Sequence, residues 1–124
     1  MRQRFFLITR LISCFIYANT VLAGEADVLT AEVINEGDAR YTFEVTVQHD
    51  DTGWDHYADR WEIMKPDGTV IAIRVLRHPH VKEQPFTRRL NFVQIADDIE
   101  EVIIRAHCLV DEFGGKQLTV KVPR

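Results

Sequence analysis

The chain has 124 residues, 46% of them hydrophobic and 10% aromatic, with 15 Lys plus Arg against 19 Asp plus Glu and two cysteines. That length suits one small domain. A net charge of −4 provides no basic footprint for displacing counterions from phosphates, so a nucleic-acid partner is not expected.

The first stretch differs from everything after it. Arg2, Arg4 and Arg10 precede a mostly apolar run, Leu11 to Leu22, and no acid occurs before Glu25. A charged start, a short apolar core and the small residues of Val21-Leu22-Ala23 read as a secretory signal peptide over residues 1–23, cleaved after Ala23, with Ala26 as a second choice. Arg10 splits the stretch and Asn19 and Thr20 dilute it, whereas a membrane span needs about 20 uninterrupted apolar residues. Leu11-Ile12-Ser13-Cys14 has a faint likeness to a lipoprotein box, but acylation there would leave Phe15-Ile16-Tyr17 at the mature start. Removal of residues 1–23 leaves 101 residues with 12 bases against 19 acids, a formal charge of −7. The expected address is periplasmic or secreted, with no membrane span in the mature chain. Cys14 departs with the signal, so Cys108 has no partner, and the hydrophobic core of one domain over residues 24–124 must hold the fold without a disulfide.

Beyond residue 23 the hydrophobic period is two, which indicates strands. Seven segments are expected: Asp27 to Ile34, Arg40 to His49, Arg60 to Lys65, Thr69 to Leu76, Phe86 to Gln94, Glu100 to Cys108 and Lys116 to Val122. Tyr41, Phe43, Val45 and Val47 alternate with Thr42, Glu44, Thr46 and Gln48, so one face is core and the other wet. The same parity selects Trp61 and Ile63; Ile71, Ile73 and Val75; Leu90 and Phe92; Val102, Ile104 and Ala106; and Leu118, Val120 and Val122. Asn35-Glu36-Gly37-Asp38, Pro66-Asp67-Gly68 and Ala96-Asp97-Asp98 carry the chemistry of short turns. Seven short alternating strands with a tryptophan on the third resemble the immunoglobulin-like, fibronectin III-like antiparallel β-sandwich, without the inter-sheet disulfide of antibody domains.

Successive connections in such a sandwich alternate between its two ends. The plain turns fall at one end; the other receives Asp50 to Asp59, Arg77 to Pro85 and Leu109 to Gly115, where a rigid scaffold would present functional loops. Four of the five histidines lie in or beside these loops, and His49 ends the second strand at the same rim. In His78-Pro79-His80 the proline favours an extended residue before it, and residues two apart on an extended chain point the same way. His78, His80, His56, His107 and Glu83 are therefore the candidate metal ligands, with Cys108, Asp55, Asp59, Asp111 and Glu112 nearby. Imidazole with thiolate or carboxylate suits copper or zinc. The alternative is that His78 and His80 cap a loop through hydrogen bonds, and that Cys108, on the inward parity, is a buried inert residue with His107 facing the other way.

Trp54, Tyr57 and Phe113 occupy the same loops. They could anchor a protein or peptide partner or plug the end of the sandwich. The segments Trp54 to Trp61 and Arg74 to Thr87 resemble those of small uncharacterised secreted proteins of Gram-negative bacteria, a likeness that implies a periplasmic address and one sandwich domain but no activity. No enzyme is expected: Gly-x-Ser-x-Gly and phosphate-cradling glycine loops are absent, and no serine follows Ser13. Asp50-Asp51, Asp97-Asp98 and Glu100-Glu101 read as solvated turn charges.

Overall fold

In the computed structural model residues 24–124 are described, and the expected signal peptide, residues 1–23, lies outside them. Seven strands follow in order: β1 (Asp27–Gly37), β2 (Arg40–Gln48), β3 (Ala58–Met64), β4 (Val70–Val75), β5 (Phe86–Gln94), β6 (Glu101–Cys108) and β7 (Leu118–Lys121). All pairings are antiparallel and form a three-stranded sheet, β1-β2-β5, and a four-stranded sheet, β4-β3-β6-β7. This is the all-β, two-sheet arrangement that period-two patterning requires, because each sheet must bury one face against the other. Among the described residues no helix is long and apolar enough to cross a membrane.

The core is one cluster drawn from both sheets. Tyr41, Phe43, Val45 and Val47 of β2 face Trp61 and Ile63 of β3 and Val102, Ile104, Ala106 and Cys108 of β6, all buried. The expected inward parity holds on these central strands.

It fails on two of the four edge strands, β4 and β5, for a shared reason. Ile63 pairs with Ala72 but Met64 with Val70, so β4 carries one extra residue at Ile71. From there its inward set is Ala72 and Leu76, and Ile73 and Val75 face solvent. Phe43 pairs with Leu90 but Tyr41 with Val93, so β5 also carries an extra residue. Phe92 takes a left-handed backbone (φ 59°) and is 70% exposed, while Val93 and Ile95 fill the core. A bulge reverses the facing of every residue beyond it.

One further bulge prepares the site. Ala58 pairs with Cys108 but Arg60 with His107, which inserts Asp59 into β3. Ala58 and Cys108 keep the inward facing, and Asp59 turns outward, 2.5 Å through Oδ1 from His107 Nδ1.

Candidate metal centre at the loop-rich rim

The β2–β3, β4–β5 and β6–β7 connections meet at one end of the sandwich. Three side chains converge there: His49, just past β2; His56, in the following loop; and Cys108, the last residue of β6. One ligand atom from each lies within 4.8 Å of the others. His49 continues the inward run of β2 and is buried, Cys108 is fully buried, and the His56 side chain is 21% exposed. Backbone hydrogen bonds fix the loops, with Thr52 N–H donating to His56 O at 3.0 Å and Leu109 N–H to Tyr57 O at 3.2 Å.

Asp51 organises this end. Its buried carboxylate accepts from Ala58 N–H (3.0 Å) and His80 N–H (2.7 Å) and meets His49 Nδ1 at 2.5 Å. One carboxylate thus ties the β2–β3 loop to the β4–β5 loop. It also holds the Nδ1 side of His49, leaving Nε2 to face the cluster, which is the way a carboxylate orients a metal-binding imidazole. A solvated turn charge was expected at Asp51; burial corrects this. Part of the signal was present in the spacing, since His49 shares the parity of Val47; the tight turn in which Asp51 N–H donates to His49 O at 2.9 Å, and which brings the two side chains together, was not.

Cys108 Sγ stands 3.6 Å from His56 Nε2, and Asp111 Oδ2 lies 3.6 Å from the same nitrogen and 3.9 Å from the sulfur. Tetrahedral zinc with a thiolate and an imidazole places sulfur and nitrogen about 3.6 Å apart. Asp111 is therefore positioned as a fourth donor, more exposed than the rest. Gly24 O lies among these groups, accepting from Cys108 Sγ at 2.8 Å and 2.9 Å from His49 Nε2. A side chain at Gly24 would collide with Asp111, with Oδ2 only 1.9 Å from an added Cβ.

The two imidazoles are held differently: Asp51 grips Nδ1 of His49, the nitrogen far from the cluster, whereas Asp111 and Cys108 both address Nε2 of His56. Donors that converge on one point are arranged as ligands are. The sulfur is shielded from solvent.

Of the five residues expected as ligands, only His56 belongs to this group. His80 is buried beside it, stacked on Phe86 with ring centroids 4.0 Å apart, and its ring meets that of His78 at 4.6 Å. Burial, followed by Arg88 and His78, holds the His80 imidazole below the usual histidine range. His78 is exposed and bonds Pro79 O, and Glu83 pairs with Arg88 at 3.1 Å. The Glu83 carboxyl is held below its ordinary value mainly by that hydrogen bond. His107 faces away from Cys108 and contacts Asp59, Arg60 and Phe113. Trp54 is 65% exposed and stands edge-on to Tyr57 at 5.6 Å; Phe113 instead lies beneath the Arg105 guanidinium at 3.7 Å.

Among curated proteins, the chain is similar to a protein of Halomicrobium mukohataei named a putative lipoprotein, with 32% identity over 96 residues, or 77% of this chain. The chain spans about half (47%) of that protein's length. No protein-family model matches the chain, and no solved structure matches it.

Proposed function

We propose that the chain is an exported, non-catalytic β-sandwich that binds one copper or zinc ion through His49, His56 and Cys108, with Asp111 completing the set. The observation that carries this reading is the convergence of two imidazoles and a thiol within 4.8 Å. The Asp51 carboxylate behind His49 supports it, because outer carboxylates fix the ring of a ligating histidine and raise its basicity. The immunoglobulin-like assignment is supported by the division of β1, β2 and β5 from β3, β6 and β7, with β4 added to the latter sheet.

The test is retention of metal. The purified protein should keep about one equivalent of zinc or copper after dialysis, and a cobalt-loaded sample should show thiolate-to-metal absorption. Cys108→Ser and His56→Gln should each abolish both; His56→Gln should leave the melting curve of the metal-free protein nearly unchanged, while Cys108→Ser, at a fully buried position, should lower it but leave the protein folded. No uptake at micromolar metal, or equal uptake by both variants, would overturn the assignment.

Export is supported by the arginine-flanked apolar run before Val21-Leu22-Ala23 and by the similarity to a protein named a putative lipoprotein. Mass analysis of the N-terminus should find Gly24 first; an acylated Cys14 would replace a freely diffusing protein with an anchored one. A second reading rests on Trp54, whose indole is largely solvated at the same rim. Were the rim a protein or peptide interface, Trp54→Ala would weaken partner capture without lowering the melting temperature.

A further inference from the structure

Two main-chain groups touch the cluster of His49, His56 and Cys108, and both bear on which ion it suits. The Gly24 carbonyl oxygen stands 2.8 Å from Cys108 Sγ and 2.9 Å from His49 Nε2, nearer to the sulfur than the Asp111 carboxylate at 3.9 Å. From the other side of the thiol, the Asp111 main-chain N–H donates to Cys108 Sγ at 3.1 Å. The sulfur thus has a neutral, weakly donating oxygen beside it and an amide hydrogen bond aimed at it.

Zinc has no redox chemistry and takes four firm donors in its structural sites. Two imidazoles and one thiolate with a weak backbone oxygen are instead the donor set of copper centres that transfer electrons, and hydrogen bonds to the sulfur together with an apolar shell tune the potential of such centres. Both tuning elements are present here. The amide of Asp111 meets the sulfur, and Cys108 pairs with Ala58 across β3 and β6, with both residues fully buried. Copper also stands above zinc in the affinity order for sites of this kind, and soft thiolate suits copper(I).

An ion that changes charge without changing partners needs donors that stay in place. Asp51 holds His49 through Nδ1 at 2.5 Å. Cys108 is pinned by a pair of main-chain bonds with Glu112, each 3.0 Å, and the His56 main chain is bonded to Gly53 and Thr52. His49 and Cys108 are buried, which keeps water from the ion. The His56 side chain, 21% exposed, reaches the surface and gives an electron its way in and out.

We propose, on the basis of the metal-binding function above, that the ion is copper and that the centre carries single electrons. Copper(II) on His49, His56 and Cys108 accepts one electron from an external carrier of the haem or iron-complex class and becomes copper(I) on the same three donors. It then passes that electron to a second carrier of the same kind. No proton moves and no bond to the protein breaks. The Gly24 carbonyl and the Asp111 carboxylate are the weaker oxygen donors.

The experiment adds copper(II) to the purified chain without oxygen, with zinc(II) added to a parallel sample. An intense visible thiolate-to-copper(II) absorption is expected at one copper per chain, with narrowed copper hyperfine splitting in electron paramagnetic resonance. Ascorbate should bleach it at one electron per copper and ferricyanide should restore it, over repeated cycles that conserve both copper and thiol. Cys108→Ser and His56→Gln should each lose the absorption, with circular dichroism verifying that they fold. Zinc uptake without any thiolate-to-copper(II) absorption, an absorption that decays as the thiol is oxidised, or one that either variant retains overturns the redox assignment; zinc uptake by the wild type then leaves metal binding standing. Failure to take up either ion overturns the metal-binding function itself, and the redox assignment with it.

Discussion

The two ends of the sandwich use similar residues in opposite ways. At the plain end, Asp67 Oδ1 accepts from Thr69 N–H at 2.9 Å and Asn35 Oδ1 from Gly37 N–H at 2.9 Å, both at the surface and both within two residues in sequence. At the rim, Asp51 is buried and receives His80, 29 residues away. A local turn contact shapes a reversal in solvent. A buried carboxylate with distant partners costs desolvation that only a complete set of donors offsets. The rim therefore concentrates the molecule's buried polar groups, and any function that needs oriented imidazoles draws on that concentration.

The sharpest way to break the contrast is to remove the central carboxylate. Asp51→Ala strands His49, the Ala58 amide and the His80 amide together, and should lower unfolding free energy by about 3–5 kcal/mol in urea titrations. A loss below about 1 kcal/mol would mean that the loops hold their arrangement without it. Next, Gly115→Ala should cost about 1–3 kcal/mol, because an added Cβ would sit 2.0 Å from the backbone oxygen of Ala26 and force the β6–β7 loop away from the start of β1. Thermal melts would show this as a lowered Tm.

Acid should separate the ends by pH window. The His80 imidazole is held below its ordinary value in the folded state, chiefly by burial, so the unfolded chain binds its proton first. The rim should accordingly lose stability as pH falls below about 6.5, the unperturbed histidine value. His80→Phe should flatten that part of the stability–pH curve. Asp67 is also held below its ordinary value, first by the Thr69 backbone N–H, but a depressed carboxylate favours the fold at higher pH. Its contribution is present above the unperturbed value of about 3.9 and fades only as pH falls through the lower folded value. Asp67→Ala, at a fully solvated turn, should have the smallest effect of these changes, and a shift as large as that of Asp51→Ala would erase the distinction between the ends.

The central strands were legible because burial on one face writes itself into alternate positions: Tyr41 to Val47 alternate without interruption, Ile104 to Cys108 do so beyond the apolar run Val102-Ile103-Ile104, and all of the inward set are buried. Two edge strands, β4 and β5, misled in a consistent direction. Ile73, Val75 and Phe92 are apolar and correctly spaced, yet one inserted residue in each strand turns them outward. A bulge leaves no local mark in composition, since it depends on which residues the partner strand offers. Among the site residues, His56 stood out from its loop, but His49 and Asp51 were passed over in favour of His78 and His107, which the structure places respectively at the surface and facing away from Cys108.

By itself the sequence determined where strands begin to within two residues, which end of the sandwich gathers the long loops, and that Cys108 points inward and His107 outward, because these follow from a two-residue period and turn chemistry within short spans. Only the tertiary structure decided that His49, His56 and Cys108 share one point, that Asp51 is the buried hub between two loops, and that His80 is buried against Phe86. Those facts depend on register and on contacts between segments dozens of residues apart, where a shift of one residue moves a side chain to the opposite face.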